Sequence, residues 1–242
     1  DAVVSRGLGD VYKRQQRLYI VIATTIVIAF TAAFYNLGVP TETLFAVYSE
    51  WLHLIVRWVH IIVGVAWIGT SFYFNWLDSR LERDDPDFKH LDGYLWSVHS
   101  GGFYRIEKLK GPPKKLPKVL HWFKWEAYAT WISGFVLLIL VYYLNASSMM
   151  LGASGIILTP FQAILISIFL LIGSWLLYDY LCKNVLKDNE QTLIATGVLL
   201  FVLLSYFLTQ IYGSRAAYIH VGAIIGTIMA ANVFRVIIPA QR

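Results

Sequence analysis

The residues able to do chemistry are few and unevenly placed. Six are histidines: His53, His60, His90, His99, His121 and His220. Four of these, His60, His99, His121 and His220, stand in apolar or aromatic surroundings. Neutral imidazole is a good axial ligand for iron, and two histidines on different membrane helices commonly hold a b-type haem. His60 and His220 are the candidate pair. The competing reading makes them hydrogen-bonded struts of a helical bundle. A second cluster, His99, Arg105, Glu107, His121, Lys124 and Glu126, mixes cations with groups that can accept a proton. Such a set can bind a planar anion and move protons. Its competing reading is a solvated basic loop drawn to anionic lipid. The candidate catalytic residues are His99, His121, Lys124 and Glu126. The sequence holds no Walker loop, no G-x-G-x-x-G, no H-E-x-x-H and no G-x-S-x-G. Nucleotide hydrolysis, dinucleotide redox and standard hydrolase chemistry therefore have no support, and no metal site is expected.

The elements that must position these groups are membrane helices. Of 242 residues, 57% are apolar and only 14% charged, against about 25% charged in an average soluble domain. The mean hydropathy is +0.58. The 9 Trp, 15 Tyr and 14 Phe suit helices anchored at two membrane interfaces. A disordered chain, a disulfide scaffold and an ordinary soluble domain are all excluded. The single cysteine, Cys182, rules out an internal disulfide and a C-x-x-C-H haem attachment site. The net charge of +5 needs no nucleic acid to explain it, because a Lys- and Arg-rich cytoplasmic loop also produces it.

A membrane span needs about 20 apolar residues. Six runs qualify: Leu18 to Leu37, Leu52 to Leu77, Ala127 to Leu144, Ile156 to Leu181, Leu193 to Tyr212 and Ala216 to Ile238. The expected fold is an all-α, polytopic transmembrane bundle of about six spans. Residues 38 to 51 read as an outer loop with Glu42 and Glu50 but no Lys or Arg. Residues 79 to 125 carry ten of the 20 Lys and Arg. The positive-inside rule then places that loop and the N-terminus in the cytoplasm. Within the loop, Leu91 to Lys110 reads as one or two interfacial or re-entrant pieces broken at Gly101-Gly102, and Gly111-Pro112-Pro113-Lys114-Lys115 as a turn.

In steps of three and four, the second span presents His53, Arg57, His60, Gly64, Trp67, Ser71, Asn75 and Asp78 on one helical face. Polar groups in hydrocarbon are costly, so this face should meet other helices or a wet cavity. In the sixth span, Gly222, Gly226 and Ala230 form a small-residue stripe that admits a close neighbour. Residues 1 to 15 are polar and aperiodic. Asp10-Val11-Tyr12-Lys13-Arg14-Gln15 resembles the read-through translation of a transposon adapter used in sequencing libraries. The segment reads as that artefact or as a disordered tail, and stands outside the expected fold.

Several strings together point to one family. They are Arg57-Trp58-x-His60 running on to Trp67-x-Gly69-x-Ser71-Phe72-Tyr73-Phe74, then Trp96-x-Val98-His99-x-Gly101-Gly102-Phe103-Tyr104, then His121-Trp122-Phe123-Lys124-Trp125-Glu126-x-Tyr128-x-Thr130-Trp131-x-Ser133-Gly134. Tyr178-Asp179-x-Leu181-Cys182-Lys183 and the stretches Arg215 to Ala223 and Gly226 to Phe234 complete the set. In this order they resemble the membrane-bound urate oxidase, or urate hydroxylase, family, which couples a multi-span N-terminal domain to a C-terminal cytochrome c. The resemblance covers about residues 50 to 242. Residues 16 to 49 then read as an additional N-terminal helix and outer loop, and 50 to 242 as the membrane domain, truncated at its C-terminus. The family usually shows three glycines where this chain has Ser100-Gly101-Gly102, and a further histidine where Arg105 stands.

The resemblance implies oxidation of urate to 5-hydroxyisourate, with electrons passed to haem c in a cytochrome domain and on to the respiratory chain. It implies purine breakdown at a bacterial inner membrane. Urate is a flat monoanion at neutral pH, so Arg57, Arg105 and Arg215 become candidate substrate-binding residues. His60 and His220 remain candidate haem b ligands. The alternative is a non-enzymatic haem-b electron-transfer module, to which the second span is also similar.

Overall fold

The computed structural model describes residues 2–83, 89–113, 115, 120–152, 156–185 and 189–240, without the side chains of 2–12. Lys114 and Lys118 of the basic loop lie outside the described residues. Among the described residues, six helices are long and apolar enough to cross a membrane: Lys13–Asn36, Thr41–Arg80, Trp125–Tyr143, Pro160–Val185, Glu190–Ile211 and Ser214–Ala240. The protein is a multi-pass, helical membrane protein. It divides into two compact units, Asp1–Ile55 and Val56–Arg242.

The first unit contains α1 (Ala2–Asn36) and the start of α2 (Thr41–Arg80). Residues 2–15 belong to α1. Gly38 ends the helix with φ +69°, a left-handed conformation that glycine adopts without a Cβ clash. Pro40 then offers its carbonyl to the amides of Thr43 and Leu44, and α2 begins. The hydroxyls of Thr31 and Tyr48 hydrogen-bond α1 to α2. The expected outer loop of residues 38 to 51 is therefore much shorter, because everything from Thr41 onward is helical. No Gly or Pro follows Pro40 until Gly64, and Glu42 suits the positive end of the helix dipole.

In the second unit, the segment after α2 is a β-hairpin, β1 (Leu91–His99) paired antiparallel with β2 (Gly102–Leu109). This corrects the expected re-entrant pieces, although the break does fall at the glycines. Ser100 (φ 52°) and Gly101 (φ 77°) make a two-residue turn with both central residues left-handed. That turn matches the twist of a hairpin. Tyr94, Trp96 and Val98 face Glu107, Arg105 and Phe103 across the ladder. The hairpin is tied to the end of α2. Lys108 reaches Asp78 at 2.5 Å and Asp92 at 3.1 Å, and these two carboxylates, Asp78 foremost, raise its ammonium above the ordinary lysine range.

The bundle proper comprises α3 (Trp125–Leu137), the short α4 (Ala146–Met149), α5 (Pro160–Tyr180), α6 (Glu190–Ile211) and α7 (Ser214–Asn232). Helix α7 packs against α3, α5 and α6 and is the hub. Its buried side includes Ala216, Ala217, Ile224 and Ala230. Small residues there let three neighbours approach at once. The start of α5 is set by a capping box, with Thr159 and Gln162 satisfying each other's backbone amides and Pro160 at the first helical position. Helix α3 passes into a π-helical turn at Leu138–Tyr143, an irregularity often found beside functional sites. The α6–α7 corner touches the α4 loop so closely that a Cβ on Gly152 would sit 2.6 Å from Gly213 Cα.

His220 lies in this core, fully buried. Its Nδ1 is 2.7 Å from the Ala216 carbonyl, which can only accept, so Nδ1 carries the proton. Nε2 must then accept from Ser167 Oγ at 2.8 Å, and Tyr143 OH donates to the same Oγ at 2.6 Å. These hydrogen bonds pin the π-helical turn, α5 and α7 together. Ser167→Ala would leave both the imidazole and the phenol without their partner. We expect it to destabilise the bundle by about 1–3 kcal/mol, seen as a lower midpoint in thermal unfolding of the detergent-solubilised protein.

Candidate functional site

A cavity of about 600 Å³ opens among α2, α3, α5 and α7. Its volume is in the range of small-molecule sites. Arg57, His60 and Trp67 come from α2; Thr130, Trp131, Gly134 and Phe135 from α3; Tyr142 from the π turn; and Arg215, Gly222, Gly226 and Thr227 from α7. Three residues selected from sequence, Arg57, His60 and Arg215, thus line one space. The glycines of the α7 stripe form its floor, so their small size shapes a cavity as well as a contact.

His60 is held in one tautomer. Its Nδ1 lies 3.1 Å from the Thr130 carbonyl and 3.1 Å from Ser133 Oγ. The carbonyl accepts, so Nδ1 bears the proton and Nε2 keeps a free lone pair. Among the described residues Nε2 has no hydrogen-bond partner. Such an imidazole is ready to act as a base. Arg57 and Arg215 have no ion-pair partner among the described residues. Two uncompensated guanidiniums beside a low-dielectric wall attract an anion, and their planar forks suit a planar one. Trp131 and Phe135 stack at 5.5 Å with their planes 5° apart, and Trp131 Nε1 donates to Thr227 Oγ1 at 3.0 Å. The wall is therefore flat and fixed.

Gly134 makes room for the imidazole. A Cβ there would stand 2.9 Å from His60 Cε1 and 3.4 Å from Nδ1. Gly134→Ala must push the ring off its two partners on α3. We expect the protein to fold and the turnover number to fall about 10-fold, the scale of a partly misplaced base, measured by steady-state kinetics.

The other candidates are scattered. His99 sits exposed at the hairpin turn with its Nδ1 3.2 Å from Ser100 Oγ. Arg105 pairs with Glu107 at 3.0 Å and lies over the rings of Tyr94 and Trp96. His121 packs edge-on against Phe123, and Lys124 stands 5.8 Å from the Trp125 ring. None of these four lines the cavity. Glu126 lines a smaller cavity of about 330 Å³ with Thr70, Ser71, Asn75 and Phe123, and Trp67 is a wall of both.

The expected pairing of His60 with His220 is not formed. His220 does not line the cavity, and both its ring nitrogens are engaged in the core. Residues without an assigned role in the sequence reading turn out to matter: Thr130, Ser133, Gly134 and Thr227. The signal was in place, since Thr130, Ser133 and Gly134 are three and four apart and so share a face of α3.

The urate oxidase N-terminal family model matches residues 46–242. The chain belongs to the urate oxidase N-terminal family. The match includes every residue that lines the cavity and excludes all of α1, its turn and the first residues of α2. No curated protein and no solved structure gives a match. The cavity of this urate oxidase N-terminal domain brings together two guanidiniums, a fixed imidazole and stacked aromatic walls.

Proposed function

We propose that this domain oxidises urate to 5-hydroxyisourate in the cavity formed by α2, α3, α5 and α7. The observation that carries the reading is that Arg57 and Arg215, without ion-pair partners among the described residues, line the same space as the tautomer-fixed His60. The urate monoanion lies against Trp131 and Phe135, with its carbonyl edges toward the two arginines. His60 Nε2 takes a proton from the attacking water as its oxygen bonds to C5 of the purine. The balance is urate monoanion plus water giving neutral 5-hydroxyisourate, one proton and two electrons. A c-type cytochrome supplies the electron sink. This chain has no C-x-x-C-H, so its own residues do not hold haem c.

A haem b between His60 and His220 does not fit the arrangement, since His220 has no free nitrogen to offer. No step is routed through one, and the reading as a non-enzymatic haem-b module loses its ligand pair. The basic loop at 79 to 125 supports a cytoplasmic N-terminus at a bacterial inner membrane. In that orientation the cavity lies toward the periplasmic half, near the start of α7 and the end of α3. The test is expression of the gene, with its native flanking sequence, in a host lacking urate oxidase. Urate should disappear, and 5-hydroxyisourate should appear as its transient absorbance. A folded, membrane-inserted protein that leaves urate untouched would defeat the reading.

A further inference from the structure

The small second cavity has no part in the chemistry above, yet it holds a carboxylate in an unusual state. Glu126 Oε2 is buried and has no hydrogen-bond partner among the described residues. Burying an ionised or polar oxygen without a partner is costly. Its neighbours across the cavity are Thr70, Ser71 and Asn75 of α2. Thr70 and Ser71 donate their hydroxyl protons to the carbonyls of Ala66 and Trp67. Toward any further partner these two hydroxyls can therefore only accept. About 330 Å³ lined by a carboxylate, an amide and two hydroxyl acceptors suits several ordered waters. Such waters would supply the partner that Oε2 lacks.

The position of this cavity is as informative as its lining. It lies on the same α2–α3 seam as the larger one. Along α2 the larger cavity takes Arg57, His60 and Trp67, and the smaller takes Trp67, Thr70, Ser71 and Asn75. Along α3 the smaller takes Glu126, one turn before Thr130. Thr130 joins the two: its hydroxyl donates to the Glu126 carbonyl, and its own carbonyl accepts from His60 Nδ1. Among the described residues Trp67 is the one that lines both spaces. The two cavities follow each other along the α2–α3 seam and meet at Trp67.

We propose that the second cavity is a proton relay in which Glu126 carries the proton released at His60 toward the membrane face where α3 begins, with Trp67 as its gate. This rests on the urate reading for the source of the proton. The oxidation releases one proton per urate, and His60 takes it at Nε2. When Trp67 moves, water connects the imidazole to the Glu126 carboxylate. Glu126 accepts the proton and His60 returns to its neutral form. The carboxylate then passes the proton to the water of the second cavity. No bond other than O–H and N–H forms or breaks in the relay, and the two electrons leave separately to the c-type cytochrome.

The test uses the full-length protein in proteoliposomes in two arms. In the first, without urate, a pH dye is trapped inside and a potassium diffusion potential is imposed with valinomycin. Trp67→Ala, and independently Trp67→Leu, should admit protons several-fold faster than wild type. Adding Glu126→Gln to either variant should return the rate to wild type. A leak that ignores Glu126→Gln, or no leak from either correctly folded Trp67 variant, overturns the relay. In the second arm, turnover with urate and a cytochrome c acceptor should fall about 10-fold in Glu126→Gln. The KM for urate should stay within about twofold, and Glu126→Asp should recover much of the rate, since only the proton carrier has changed. An active wild type with an undiminished Glu126→Gln kcat overturns the relay. A wild type that does not oxidise urate overturns the urate reading, and the first arm still decides the relay.

Discussion

Arg57→Gln is expected to raise the KM for urate about 10- to 100-fold while kcat changes only a few-fold. The guanidinium lines the cavity without an acidic partner among the described residues. Its charge is therefore available to the ligand and is not spent on a neighbour. A hydrogen bond to a charged group contributes about 1.5–3 kcal/mol, and each 1.4 kcal/mol is tenfold in affinity. Glutamine keeps much of the length and some donors but removes the charge. Arg57→Lys should fall between, because it restores a charge without the planar fork. Arg215→Gln, on α7, should show the same pattern. The measurement is steady-state urate consumption by membranes with matched protein levels. A wild-type KM in both single glutamine variants would remove the anion from this cavity.

His60→Gln should lower kcat by about 10²- to 10⁴-fold, the range for loss of a positioned general base, with KM within about threefold. The amide can still hydrogen-bond to Thr130 and Ser133 but has no basic nitrogen to turn toward the substrate. Ser133→Ala should lose less, because the Thr130 carbonyl at 3.1 Å still selects the same tautomer. Added imidazole should restore part of the His60→Ala rate if the lost function is proton acceptance. The visible absorption spectrum of the membrane domain should be the same before and after the change. A kcat that survives His60→Gln would reassign the base. A Soret band that vanishes with it would bring haem b back to this residue.

These two expectations concern residues that sequence reasoning found, though it gave them partly different work. Arg57 and His60 stand out because charge and imidazole are expensive in an apolar run. Their spacing, continued by Gly64, Trp67, Ser71 and Asn75, puts them on one face of a helix. In the structure that face lines both cavities, and Gly64 faces the Thr130 methyl. Arg105 illustrates the limit. It has the same charge as Arg57, but its strand register sets it opposite Trp96, where Glu107 and two aromatic rings occupy it. Register and pairing are tertiary facts, and residue type does not reveal them. The hairpin itself was missed because apolar residues occupy both faces of β1, Leu95 standing between Tyr94 and Trp96. The Ser100-Gly101 turn was the legible clue.

By itself the sequence determined the membrane class, the six spans and the polar face of α2. Hydropathy and the period of 3.6 residues are properties of the chain taken one helix at a time, and a bilayer leaves few other structures open to such segments. Which polar groups meet was decided only by the tertiary structure. The crossing of α7 with α3 and α5 brings Arg215 to the cavity lined by His60, yet it turns His220, five residues later, into the core against Ser167. Five residues are about 140° past one full turn of an α-helix. The two side chains on α7 therefore leave in different directions, and packing assigned one to the cavity and the other to the struts that hold it.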